Sequence, residues 1–333
     1  MPPDRRVDLA LLAVAVAWGS SYLAAKDVAT SDNAFGFLAI RFALAATGLV
    51  VVLGVRLWRI PRAELVLGAL FGAILSVIFA LETFGLTMTS ASHAGLIISL
   101  TIVLTPLLQQ WTQRTRLRAS FYGATVVAAF GVVLLTQAGG LSAPGLGDLL
   151  MLLAAAARAC HVVVMAQLSR ERRLDPGRLT LVQICICLAL FVTLAAVTGS
   201  GPGAVAARFS LGDWLITAYL ALGCTVFAFV VQAWAVQRTS PARVSLLLGT
   251  EPLWAAAAGV LVAGDPVTLI GTAGAILVVT GTNWGRASCP SNSERASRRT
   301  RSRPPERPST RTPASGSCPV PSTVPRETTR ATR

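Results

Sequence analysis

Histidine occurs twice in this 333-residue chain, tyrosine three times and lysine once, and only 13% of the residues are charged. Each scarcity removes a class of function. Two histidines cannot build a His-rich metal centre, and the chain contains no HExxH, no P-loop and no GxGxxG opening a helix after a strand. The six cysteines (Cys160, Cys185, Cys187 and Cys224 inside apolar runs, Cys289 and Cys318 near the end) follow no disulfide or zinc spacing. Metalloprotease, dinucleotide-dependent and ATP-driven mechanisms lack their parts. The chain therefore reads as a non-enzyme with no cofactor and no metal.

What is present is apolar: 53% hydrophobic residues and a mean hydropathy of +0.63 describe a chain that water does not solvate. A bilayer core of roughly 30 Å needs about 20 mostly apolar residues per helix. Ten stretches meet that length: 8–28, 34–55, 64–86, 92–112, 119–138, 147–168, 178–198, 212–235, 241–263 and 266–284. Their connections are too short for a soluble domain. The basic start MPPDRR followed by an apolar run resembles a signal peptide, but the run exceeds the roughly 7 to 15 residues of a cleavable core. It is read as the first span.

Charge locates the two sides. Of the formal +14, the segment from Arg286 onward holds 11 Arg against 3 Glu. The basic excess is thus no nucleic-acid patch. Elsewhere Arg gathers on alternate connections (Arg5, Arg6; Arg56, Arg59, Arg62; Arg114, Arg116, Arg118; Arg170, Arg172, Arg173, Arg178; Arg238, Arg243), leaving Lys26 and Arg208 on the other side. By the positive-inside rule the crowded side is cytoplasmic. Both termini are then inside a multi-pass protein of the cell (inner) membrane. The Arg, Ser, Pro and Thr of 286–333 cannot bury a core, so this basic cytoplasmic tail is expected to be disordered; a lipid-binding polybasic segment is its functional rival.

A shift of 140 to 150 residues lays one half on the other: Asp8-Leu9 on Asp148-Leu149, Thr89-Ser90 on Thr239-Ser240, Leu96 on Leu246 and Glu82 on Gln232. Two five-helix repeats, 1–138 and 139–285, follow, and an odd number of spans inverts the second. The expected fold is an all-α membrane protein of ten transmembrane helices in two inverted repeats, a plan that places a site near the midplane and permits alternating access.

At this point the residues resemble the EamA-type transporters of the drug/metabolite transporter superfamily. The first span carries AWGSSYLAAK, the second Arg41-Phe42, the junction before the fourth reads TSASHAGLIISLTIVLTPLL, and the second half answers with TSPARVSLLLGTEPLWAAAAG and LIGTAGAILVVTGTNWG. The resemblance covers 8–284. It implies a ten-helix carrier whose cavity is lined mainly by spans 1, 3, 4, 6, 8 and 9, with spans 5 and 10 peripheral, and it leaves the substrate open. Arg158 departs from the family pattern, which has an aromatic or apolar residue there.

Intramembrane charge narrows the site. A charge at the centre of an isolated span costs roughly 2.5 to 3.5 kcal/mol, so Arg41, Glu82, Arg158 and Glu251 are expected to face protein or a wet cavity. Glu251 beside Pro252 is either a structural partner, for freed donors or for Arg158, or a direct substrate or proton site. Trp18 and Tyr22 share a face, as do Arg158 and His161; packing and hydrogen bonding are the plainer roles for the aromatics and for His161. His93 is read as a solvated loop residue. Glu82 and Gln232 are a candidate pair of gate or coupling groups, Arg41 a structural clamp on backbone carbonyls, and Pro106 and Pro252 structural helix breakers. The segment GALFG (68–72) marks close helix contact.

The expected function is a permease that exports a small polar or amphipathic metabolite, such as an amino acid or drug-like compound. Its partners are that small molecule, the lipid bilayer and protons as a coupling ion. An uptake permease of the same fold and a non-transporting receptor or scaffold are the alternatives.

Overall fold

A computed structural model describes residues 3–54, 59–89, 91–114, 118–136, 145–169, 172, 174–199, 201–258, 260–261 and 267–288. The chain divides into two units, Met1–Asn292 and Ser293–Arg333. The second, with most of the basic tail, lies outside the described residues.

All regular structure among the described residues is helical. The first half contains α1 (Pro3–Val28), α2 (Ala34–Leu53), α3 (Arg62–Met88), α4 (Ala91–Ser99), α5 (Thr101–Gln113) and α6 (Ala119–Thr136). The second contains α7 (Leu146–Ser169), α8 (Pro176–Thr198), the short α9 (Pro202–Ala206), α10 (Leu211–Ala221), a π turn (Leu222–Phe227), α11 (Ala228–Val236), α12 (Pro241–Leu248), α13 (Glu251–Ala258) and α14 (Leu269–Ser288). Among the described residues helix is found at each of the ten expected positions. Among the described residues five helices are long and apolar enough to cross a membrane: Ala34–Leu53, Arg62–Met88, Leu146–Ser169, Pro176–Thr198 and Leu211–Val236.

Local chemistry sets the boundaries. Asp175 caps α8 by accepting from the amide of Arg178 at 3.0 Å, Pro176 fills the first turn, and Gly199 ends the helix at φ +76, the arrangement expected of an Asp cap, an N1 proline and a left-handed terminal glycine. Ser210 and Asp213 form a reciprocal capping box at α10. One boundary differs from expectation: α14 runs on to Ser288, past the Gly285 limit drawn for the second repeat.

The helices turn apolar side chains outward as well as inward. Val51, Val52, Leu215 and Leu269 are all more than half exposed, an apolar surface that water would not tolerate and hydrocarbon does. Between helices, where lipid gives no hydrophobic drive, small residues allow the backbones to approach. A Cβ on Gly131 of α6 would meet the Val278 amide at 2.7 Å, and one on Gly281 of α14 would meet the Ala128 amide at 2.6 Å. The α6–α14 pair is therefore locked by reciprocal glycines. GALFG behaves as expected: Gly68 and Gly72 press α3 against Val182 and Gln183 of α8.

Three of the expected spans are interrupted. The fourth breaks at Leu100 between α4 and α5, and the ninth at Gly249-Thr250 between α12 and α13. The two breaks touch: a Cβ on Gly249 would collide with the Ile102 side chain. Pro252 sits in the first turn of α13, immediately after its break, whereas Pro106 lies inside α5 six residues beyond Leu100. The π turn divides the eighth span, and wide turns of this kind concentrate at functional sites.

Two ion pairs, one buried and one part-buried, tie helix ends together. Arg243, first residue but two of α12, donates from Nε and Nη2 to the carboxylate of Asp8 on α1 at 3.0 and 2.8 Å. Arg178 donates likewise to Glu64 at 2.6 and 3.0 Å. Both arginines had been counted as loop cations in locating the cytoplasmic side. They are partnered groups at helix starts.

Candidate substrate cavity

Gly19 is the pivot of the site. A Cβ there would lie 2.6 Å from the Glu251 carbonyl and 2.7 Å from Cβ of Trp254, so α1 rests directly on the start of α13. That contact carries Trp18 to the level of Glu251. Trp18 is buried, its indole N–H donates to the carbonyl of Cys224 in the π turn at 2.8 Å, and Phe229 packs against it at 5.5 Å.

From α7, Arg158 enters between two carboxylates. Its Nη1 donates to Oε2 of Glu251 at 3.2 Å, and its Nε lies 3.1 Å from Oε1 of Glu82 on α3, within ion-pair range though not aligned as a hydrogen bond. Its guanidinium carbon stands 4.3 Å from the centre of the Trp18 ring, a cation–π contact strengthened where water is scarce. One cation thus bridges carboxylates on α3 and α13 while an aromatic face from α1 covers it. Oε1 of Glu251 is buried with no hydrogen-bond partner among the described residues. Such an oxygen carries a desolvation cost of about 1 to 3 kcal/mol until something bonds to it.

These four residues line a cavity of about 50 Å³ together with Ser21, Ala25, Ala29, Phe37, Arg41, Phe79, Thr83 and Leu86. That is room for a few waters and well below the roughly 300 Å³ of a small ligand pocket. The lining runs from Arg158 toward the end of the bundle that carries the link between α1 and α2. Walls come from α1, α2, α3, α7 and α13. The second span therefore lines the cavity where it was not expected to, and among the described residues the fourth and eighth supply none of the lining.

Of the residues singled out from sequence, Trp18, Glu82, Arg158 and Glu251 come together. His161 does not reach the cavity: its Nε2 lies 3.1 Å from Oε1 of Gln183 on α8, and its ring meets Phe71 and Phe229 edge-on at 6.0 and 6.4 Å. A three-residue step on a helix leaves two side chains about 60° apart. That angle is enough to turn His161 toward α8 while Arg158 faces the cavity. Gln232 is buried in α11 and is not among the cavity-lining residues, and its Oε1 has no partner among the described residues, so it does not mirror Glu82. The side chains of Tyr22 and His93 lie outside the described residues.

Arg41 was expected to face protein or a wet cavity and to clamp backbone carbonyls. It lines the cavity, and its partner is the hydroxyl of Thr225 at 3.1 Å rather than a backbone carbonyl. The signal was available, since an arginine inside a span marks a functional site by default. Among the described residues no group of three or more His, Cys, Asp or Glu could hold a metal ion.

Comparison with known sequences decides the class. The sequence model of the EamA-like transporter family matches residues 5–137 and again 145–284. The chain belongs to the EamA-like transporter family. EamA proteins are part of the drug/metabolite transporter superfamily and have a two-repeat membrane fold, so this EamA-like protein is a membrane transporter. It is 26% identical over 274 residues to an uncharacterized transporter of Archaeoglobus fulgidus, covering 82% of this chain and 83% of that one. A solved crystal structure, 20% identical, superposes over 84% of this chain and 98% of its own length with a TM-score of 0.65, which establishes likeness of fold.

Proposed function

We propose that this EamA-like transporter exports a small polar or amphipathic metabolite, an amino acid or drug-like compound, by alternating access across the cell's inner membrane. Both termini face the cytoplasm, and protons are the coupling ion. The observation that carries the reading is the Glu82–Arg158–Glu251 bridge under the Trp18 ring. A proton on Glu82 cancels the attraction that ties Arg158 of the second repeat to α3 of the first, and a proton on Glu251 cancels the one within the second repeat that holds Arg158 in position to reach Glu82. The halves are then free to rock, one entrance closing as the other opens. Such movement is required of any carrier whose cavity is only about 50 Å³. The repeats, 1–138 and 139–285, act as the two rocking bodies in this scheme.

Purified protein in proteoliposomes tests it. Efflux of at least one compound from a panel of amino acids and drug-like amphiphiles should exceed that of empty liposomes and accelerate when the outside is made acid. In Glu251→Gln, Arg158 retains Glu82, so folding should survive and substrate exchange should continue while the acceleration by the pH gradient disappears. Undiminished gradient-driven efflux in Glu251→Gln would move the coupling role to Glu82. A protein that moves nothing in the panel counts against the carrier.

Orientation has its own test. In a Cys-free variant, single cysteines placed in 139–146 or 199–211 should react with an impermeant thiol reagent added to intact cells, and those in 56–63 or 169–177 should not. Labelling of the second set reverses the topology.

A further inference from the structure

Two arginines line the cavity, and among the described residues only one is paired with a carboxylate. Arg158 is held between Glu82 and Glu251. Arg41 is 7% exposed, its Nε donates to Oγ1 of Thr225 at 3.1 Å, and its guanidinium carbon lies 4.8 Å from the centre of the Phe79 ring. Neither terminal amino nitrogen of Arg41 has a hydrogen-bond partner among the described residues. A guanidinium offers five N–H donors in a rigid fork, and four of them are uncommitted here. Buried charge without partners is rare and costly in proteins.

The fork is also held. Thr225 donates its own proton to the Leu220 carbonyl at 2.9 Å, so its oxygen faces Arg41 as an acceptor. The wider π turn (Leu222–Phe227) contains Thr225 and lets its hydroxyl reach the carbonyl five residues back. On the other side, Phe79 is fixed edge-on against Phe42 at 4.9 Å. The hydroxyl thus holds Nε, the ring covers the guanidinium carbon, and the residue lines the cavity with its two terminal nitrogens unbonded among the described residues. A planar fork so presented matches a carboxylate, which accepts two parallel bonds from it.

We propose that Arg41 is the anion receptor of the transport site and takes the carboxylate of the transported molecule on its two terminal nitrogens. The proposal rests on reading the cavity as the transport site. The carboxylate belongs either to a monoanion or to a zwitterion whose ammonium lies on the Glu82 side, and the test separates the two.

Thermal unfolding of the full chain in detergent is followed with the common amino acids, their carboxamides, their decarboxylated amines and their deaminated acids. Compounds that stabilise the protein should carry a carboxylate, and the best acid should bind at least about tenfold more tightly than its amide, the range of a charged hydrogen bond. Activity of deaminated acids identifies a monoanion site, and their failure beside active amino acids identifies a zwitterion site. Arg41→Gln should abolish the preference for acid over amide, and Arg41→Lys should keep part of it. Should Arg41→Gln not fold, Thr225→Val decides, because it leaves the charge and removes only the orienting hydroxyl. It should weaken acid binding several-fold and leave amide binding unchanged. Equal binding of acids and amides, no stabilisation by any carboxylate, or an intact acid preference in a folded Arg41→Gln or Thr225→Val overturns the proposal. Binding is read without flux, so a protein that prefers acids yet transports nothing sinks the carrier reading and not the receptor.

Discussion

Arg158→Gln is expected to be the most damaging single substitution in the cavity. It would leave the carboxylates of Glu82 and Glu251 facing one another without the cation that holds both at 3.1 and 3.2 Å. Removing one member of a buried ion pair costs about 3 to 5 kcal/mol, because the remaining charge stays buried without compensation. Here two charges are stranded together. The yield of monodisperse protein in detergent should collapse, and whatever folds should melt well below the parent. Adding Glu82→Gln and Glu251→Gln to the same chain should restore folded yield, since an uncharged site of the same size carries no stranded charge. The restored triple variant should bind no coupling proton. Either single Glu→Gln change leaves Arg158 one carboxylate and should be far milder than Arg158→Gln. Normal folding of Arg158→Gln would mean that the two carboxylates are neutral or hydrated without it, and the bridge would lose its place in the mechanism.

Much of this architecture was legible because the bilayer imposes a length on each apolar run. Helix α2 begins at Ala34 as expected, and α7 and α8 begin within two residues of their expected starts. The site was legible to the extent that charge inside a span is conspicuous: Glu82, Arg158 and Glu251 converge as such residues must. What was not legible is angular. Whether His161 follows Arg158 into the cavity depends on about 60° of helix rotation, and nothing in a three-residue spacing fixes which face a neighbouring helix occupies. The breaks at Leu100 and at Gly249-Thr250 were hidden for a related reason. Prolines at 106 and 252 announced a disturbance, but the contact of Gly249 with Ile102 that makes glycine necessary joins segments almost 150 positions apart. Arg41 was visible and assigned the plainer role, because a sequence does not reveal that Thr225 and Phe79 leave its terminal nitrogens free.

The pair formed by Asp8 and Arg243 is the other place where one substitution should have a large effect. Its members are 235 positions apart, and their side chains are 3% and 10% exposed. Two parallel bonds join the start of α1 to the start of α12. Asp8→Asn keeps the shape and removes the charge, leaving Arg243 buried with a neutral amide that accepts through one oxygen only. A loss of about 3 to 5 kcal/mol is expected, read as a lower melting temperature in detergent and as earlier proteolysis. The double variant Asp8→Leu with Arg243→Met should recover most of that loss, because an apolar pair of similar volume carries no desolvation cost. The second pair supplies a control of the same chemistry. Glu64 is buried, but the Arg178 side chain is 24% exposed, so water can compensate part of what Glu64→Gln removes, and the drop there should be smaller. If Asp8→Asn melts with the parent while Glu64→Gln does not, the α1–α12 bond holds no stability in the native protein, and the burial seen at Asp8 is not what fixes the start of α1.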